Sequence, residues 1–133
     1  MYASSMAYQR IATKTHGIFD YCVSIALILM PVLFGLGPSE GMAAAVPMIL
    51  GTVLFLYSVF TYYELGIIKL IGMPSHLVID AVAAVFLAIS PLLFGFISDA
   101  ANAWLPHILV GVVWLLVAVF TKTAPAGTAT PVR

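Results

Sequence analysis

Charge is scarce in this chain. Its 133 residues include five basic and five acidic side chains, and the formal net charge is zero. Such a balance supplies neither a basic face for nucleic acid nor a charged field for an oppositely charged partner. Cysteine is scarcer still. The single Cys22 excludes an internal disulfide and CxxC redox chemistry, and its place in an apolar run reads as a small packing residue. No Ser/His/Asp set, phosphate loop, HExxH or HxH motif is present, so the expectation is a protein that is not an enzyme.

Apolar residues fill the space. They make up 63% of the chain, far above a soluble domain. Four segments, 17–36, 42–63, 77–96 and 103–121, reach the length of about 20 apolar residues that carries a helix across a bilayer. A membrane barrel would instead show many alternating runs of about ten residues. Arg10, Lys14 and Ala43-Ala44-Ala45 resemble a cleavable signal. The apolar run between them is too long for one, so the first segment is expected to stay.

The basic residues orient the spans. Arg10, Lys14, Lys69 and Lys122 fall outside both ends of each helix pair, whereas the loops 37–41 and 97–102 carry only Glu40 and Asp99. By the positive-inside rule, both termini and the middle connection are cytoplasmic.

The spans are two copies of one unit. At a spacing of about 60 residues, Thr15, His16 and Asp20 return as Ser75, His76 and Asp80. Pro31, Phe34 and Gly35 return as Pro91, Phe94 and Gly95, and Gly51 and Thr61 as Gly111 and Thr121. Each copy crosses twice, so both enter from the same side and are related by an axis along the membrane normal. The expected fold is an all-α, integral membrane four-helix bundle of two parallel two-helix repeats. Its parts are a cytoplasmic segment 1–14, a first repeat 15–63, an interfacial connection 64–74, a second repeat 75–122 and a mobile tail 123–133. The connection reads as a short amphipathic segment with Lys69 toward headgroups. Tyr62 and Tyr63 read as an aromatic belt on that side, and Trp104 as one on the other.

The repeated His and Asp are the candidate site. Thr15 and Ser75 read as helix N-caps, which puts His16 and His76 in first turns and Asp20 and Asp80 one turn on, along the same face. Ser24 and Ala84 continue that face with small residues suited to close helix packing. The leading reading is a polar clasp with no metal and no cofactor. Three others stay open: a haem or other porphyrin held between His16 and His76, a divalent metal on the two His/Asp pairs, and a proton or ion relay in a transporter. His107 reads as an interfacial histidine, and Glu64 as a rim residue pairing with Lys69 or Arg10. Pro31, Phe34 and Gly35, with Pro91, Phe94 and Gly95, read as helix ends turning into the outer loops.

That proline motif carries a resemblance. Ser90-Pro91-Leu92 followed by Phe94-Gly95, and the more divergent Met30-Pro31-Val32 followed by Phe34-Gly35, resemble the SPW repeat family of small bacterial membrane proteins. The resemblance implies a duplicated two-helix membrane protein and brings no activity, cofactor or functional residue with it. The expectation for function is therefore a structural or accessory protein of the bacterial inner membrane. Its partners would be the lipid bilayer and either further copies of itself or a larger membrane complex.

Overall fold

The computed structural model describes residues 8–125 and Gly127. It is all-helical: α1 (Thr13–Leu33), α2 (Met42–Val59), α3 (Met73–Leu93) and α4 (Ala101–Phe120). Each is long and apolar enough to cross a membrane. Short 3₁₀ turns, Pro38–Glu40 and Phe96–Ser98, sit in the α1–α2 and α3–α4 loops. Large side chains such as Val32, Ile49, Val78 and Leu109 are exposed along all four helices, as lipid-facing helices require.

Within each hairpin the helices touch at a glycine. A Cβ on Gly51 would stand 2.7 Å from the Ser24 carbonyl oxygen, and one on Gly111 would stand 2.7 Å from that of Ala84. The small-residue seam read from Ser24 and Ala84 is therefore the hairpin interface. Leu27, Leu54, Leu87 and Trp114 fill the shared core beside it.

The hairpins are joined at both ends. At the loop end, Leu36, Ala43, Phe96 and Ala103 form a small cluster, and Asn102 Nδ2 donates to the Phe34 carbonyl at 2.8 Å. At the opposite, terminal end, two parallel bridges pair Ile11 with Thr121 and Thr61 with Ile71. Their hydrogen bonds repeat at the same offset: Ile11 to the Phe120 carbonyl and Ile71 to that of Phe60. The start of each repeat is thus laced to the end of the other, which closes the pseudo-twofold ring.

The bridges correct the expected caps. Extended residues lead directly into α1 and α3, which begin at Thr13 and Met73 after Ala12 and Gly72. Thr15 and Ser75 are third residues of their helices, and no side chain caps either end. Pro74 sits in the first turn of α3, where a missing N–H is harmless. The connection from α2 to α3 also carries no helix among its described residues. It consists of bends around the second bridge, and Lys69 Nζ turns back to the carbonyls of Tyr63 (2.5 Å) and Gly66 (3.3 Å). Glu64 accepts from the Thr13 hydroxyl at 2.6 Å. Cys22 is exposed on the outer face of α1 and is not a packing residue. Most of the expected tail 123–133 and residues 1–7 of the N-terminal segment lie outside the described residues.

The proline motif ends the helices as read. Phe34 and Phe94 are C-caps, and Gly35 and Gly95 take positive φ of 68° and 78°. The serine before Pro91 has a specific task. Proline at 91 cannot donate to the carbonyl four residues back, that of Leu87. The Ser90 hydroxyl donates to that carbonyl at 2.7 Å and replaces the missing N–H. Ser90→Ala should therefore destabilise the bundle by about 1–2 kcal/mol. In a denaturant titration of S90A, P91A and the double variant, the double should recover most of that loss, because alanine in place of the proline restores the donor. An additive double variant contradicts the assignment.

Candidate functional site: a buried histidine–aspartate quartet

His16, Asp20, His76 and Asp80 converge at the terminal end of the bundle, and all four are fully buried. Each pair rises from the first two turns of its helix, and the symmetry axis brings the pairs face to face. The imidazole rings stand edge to face, 5.4 Å between centroids.

The pairing crosses between repeats. His16 Nε2 lies 2.8 Å from Asp80 Oδ2, and His76 Nε2 lies 3.0 Å from Asp20 Oδ2, both in hydrogen-bond geometry. The carboxylate on each histidine's own helix is also close, at 3.1 Å in both copies. Those contacts lie off the hydrogen-bond direction. Asp20 Oδ1 consequently has no hydrogen-bond partner among the described residues, although it is buried.

A ring of hydroxyls surrounds the quartet. His16 Nδ1 meets Thr121 Oγ1 at 2.8 Å, and His76 Nδ1 meets Thr61 Oγ1 at 2.6 Å. Each threonine also reaches the carbonyl four residues back, of Val117 (2.6 Å) and Tyr57 (2.7 Å). A carbonyl only accepts, so each hydroxyl spends its proton there. The imidazole must then donate, and Nδ1 carries hydrogen in both rings. Tyr57 donates to Asp80 Oδ1, and Tyr63 donates to Asp20 Oδ2 at 3.3 Å.

The tyrosines break the symmetry. Their counterparts in the second repeat are Val117 and Thr123. Tyr63 has been displaced from the expected aromatic belt into the interior, at 1% exposure. Its ring lies over Gly17, where a Cβ would approach to 2.6 Å. The equivalent residue of α3 is Leu77, which leaves no such space. Burial, with the Asp20 carboxylate beside it, pushes the Tyr63 phenol well above its ordinary pKa. Tyr62 does stay exposed, with Lys69 Nζ 5.5 Å from its ring centre.

The other residues read from sequence stand apart. Pro31, Phe34 and Gly35 and their counterparts Pro91, Phe94 and Gly95 are at the loop end. His107 is there too, and it is fully buried against Phe96, not an exposed interfacial side chain. The carbonyls of Ala43 and Ala103 lie near its ring, but neither nitrogen meets hydrogen-bond geometry among the described residues.

A porphyrin does not fit between His16 and His76. Rings 5.4 Å apart, with the carboxylates of Asp20 and Asp80 beside them, leave no slot for a macrocycle. The surface grooves also avoid the quartet. The open groove of about 610 Å³ at the terminal end is lined by Tyr8, Arg10, Ile11 and Phe120, and one of about 400 Å³ runs along Leu50, Val78, Val82 and Phe86.

Residues 14–121 match the SPW repeat domain. No curated protein and no solved structure matches the chain.

Proposed function

We propose that this chain, which belongs to the SPW repeat family, is a non-enzymatic structural or accessory unit of the bacterial inner membrane, built to pack against copies of itself or a larger membrane complex. The observation that carries this reading is where the polarity lies. Four ionisable groups of the spans, His16, Asp20, His76 and Asp80, are gathered into one fully buried quartet whose partners belong to the same chain. What the helices turn outward is mostly apolar, with Lys14, Thr15, Thr52 and Asn102 among the exceptions. A quartet of this kind locks two hairpins together and leaves the outer faces free for lipid and protein.

The distribution of Arg10, Lys14, Lys69 and Lys122 supports a cytoplasmic terminal end. The quartet then sits near the cytoplasmic surface. In Cys22→Ser protein carrying one new cysteine, an impermeant thiol reagent applied from outside should label Ser39→Cys and leave Lys122→Cys unlabelled. The reverse pattern inverts the orientation.

Packing against a neighbour is tested by size. Extracted in mild detergent and analysed by native mass spectrometry, the protein should appear as a multimer or with a co-extracted membrane protein. A lone monomer at every concentration, from native membrane as well as from overexpression, removes the reading.

A further inference from the structure

We propose that the quartet is a closed binding site for one divalent transition-metal ion of the zinc class, with His16 Nε2, His76 Nε2 and one carboxylate oxygen each from Asp20 and Asp80 as ligands. The inference rests on the quartet being the joint between the hairpins and names what holds that joint.

Proton accounting leads to the ion. The threonine hydroxyls fix hydrogen on Nδ1 of both histidines. In a neutral imidazole, Nε2 then carries a lone pair. Each Nε2 lone pair faces a carboxylate oxygen, 2.8 Å away for His16 and 3.0 Å for His76. Two lone-pair atoms do not attract at that distance, so a proton or a cation must lie between them. Either each contact holds a proton, on Nε2 or on the carboxyl, or a single dication holds all four groups. The dication offsets both carboxylates while both rings keep their neutral, metal-binding form.

The dimensions suit the ion. The ligand atoms lie within 4.8 Å of one another, and the four Nε2-to-oxygen contacts run from 2.8 to 3.1 Å. Zinc bound to N and O at about 2.0–2.1 Å in a tetrahedron sets its ligand atoms about 3.3–3.4 Å apart. The short contacts must open by a few tenths of an ångström, and the most distant pair, 4.8 Å at most, must close by roughly 1.4 Å, for all four to bind one ion. The unpartnered Oδ1 of Asp20 faces the same centre and supplies a free lone pair where a ligand is needed.

The surroundings are those of a metal site. Metal-bound histidines donate their second N–H to a fixed acceptor, and bound carboxylates are themselves hydrogen-bonded. Here every ligand has its outer partner: Thr121 on His16, Thr61 on His76, Tyr57 on Asp80 and Tyr63 on Asp20. Two imidazoles with two carboxylates select a borderline ion over magnesium or calcium, which prefer oxygen alone. Four protein ligands leave no open position, which is the form of a structural ion and not of a catalytic one.

The test uses the full-length protein in mild detergent, stripped with a chelator and dialysed against Zn²⁺, Co²⁺, Mg²⁺ or Ca²⁺ singly. About one Zn²⁺ per chain is expected by elemental mass spectrometry. Co²⁺ should give the intense visible bands of a tetrahedral N/O site, and Mg²⁺ and Ca²⁺ should not bind. Thr61→Val and Thr121→Val, which keep the ligands, should each weaken Zn²⁺ binding about tenfold or more. Wild-type protein that takes up no Zn²⁺ and shows no Co²⁺ bands overturns the proposal, as does stoichiometric Zn²⁺ that persists in His16→Gln/His76→Gln. The joint itself survives the first of those results. It falls only if removing the aspartates leaves stability unchanged. Should the histidine variants fail to fold, the wild-type Co²⁺ spectrum decides.

Discussion

Asp80→Ala should destabilise the protein by about 3–5 kcal/mol, the loss that follows when one member of a buried charged pair is removed. Both oxygens of Asp80 are engaged: Oδ2 by His16 Nε2 and Oδ1 by the Tyr57 hydroxyl. Truncation leaves both partners buried with nothing to accept from them, in an interior that water does not reach. Asp20→Ala should do less harm, because the bonds Asp20 accepts, from His76 Nε2 at 3.0 Å and from the Tyr63 hydroxyl at 3.3 Å, are longer than their counterparts at Asp80. The ordering is the informative part. Unfolding titrations of the metal-free protein in mixed micelles should rank wild type above Asp20→Ala and Asp20→Ala above Asp80→Ala. Equal losses at the two sites contradict the asymmetric arrangement of the tyrosines.

Gly111→Val should be nearly as severe, at about 3 kcal/mol, for a reason unconnected with charge. The added Cβ would stand 2.7 Å from the Ala84 carbonyl oxygen and 2.8 Å from the Ala88 backbone nitrogen. Backbone cannot rotate aside as a side chain can, so α3 and α4 must separate and lose packing along their length. Gly51→Val meets the Ser24 carbonyl oxygen at the same 2.7 Å and should behave alike in the first hairpin. Gly95 makes a useful contrast. Nothing lies within 4 Å of its missing Cβ, so Gly95→Ala meets only the strain of its positive φ, about 1 kcal/mol. Thermal unfolding of the three variants should therefore separate close helix approach from backbone conformation. A Gly111→Val protein as stable as Gly95→Ala would remove the seam from the account.

Much of this was legible from the internal repeat. A repeated His/Asp pair at one end of two hairpins requires, by symmetry alone, that the four groups share a depth. Small residues at 24 and 84 marked the face that packs. Helix length and the Phe-Gly ends followed from hydropathy and from glycine's freedom at positive φ.

The rest was hidden for identifiable reasons. Spacing of i to i+4 suggests that each histidine pairs within its own helix, and those contacts exist at 3.1 Å. The better-aligned bonds nevertheless cross the axis, which only the packing angle of the hairpins decides. Thr61 and Thr121 were visible as a repeated pair, but threonine at a helix end is commonplace. The task of each depends on a distant histidine: His76 lies 15 residues from Thr61, and His16 lies 105 residues from Thr121. Tyr57 and Tyr63 have no repeated counterparts, so comparing the copies could not reveal them. The one clue was Gly17 where the other copy has Leu77, a gap the Tyr63 ring fills. Thr15 and Ser75 have the chemistry of caps but stand two positions inside helices whose start is set by the Ile11 and Ile71 bridges.

The central claim is that the histidine of each repeat is bonded to the aspartate of the other. A double-mutant cycle on the metal-free protein measures this directly, with unfolding free energies for His16→Ala, Asp80→Ala and both together, and the same for His16 with Asp20. The account predicts a coupling above about 1 kcal/mol for His16 with Asp80 and a clearly smaller one for His16 with Asp20. A dominant coupling of His16 with Asp20, and none across to Asp80, would contradict it.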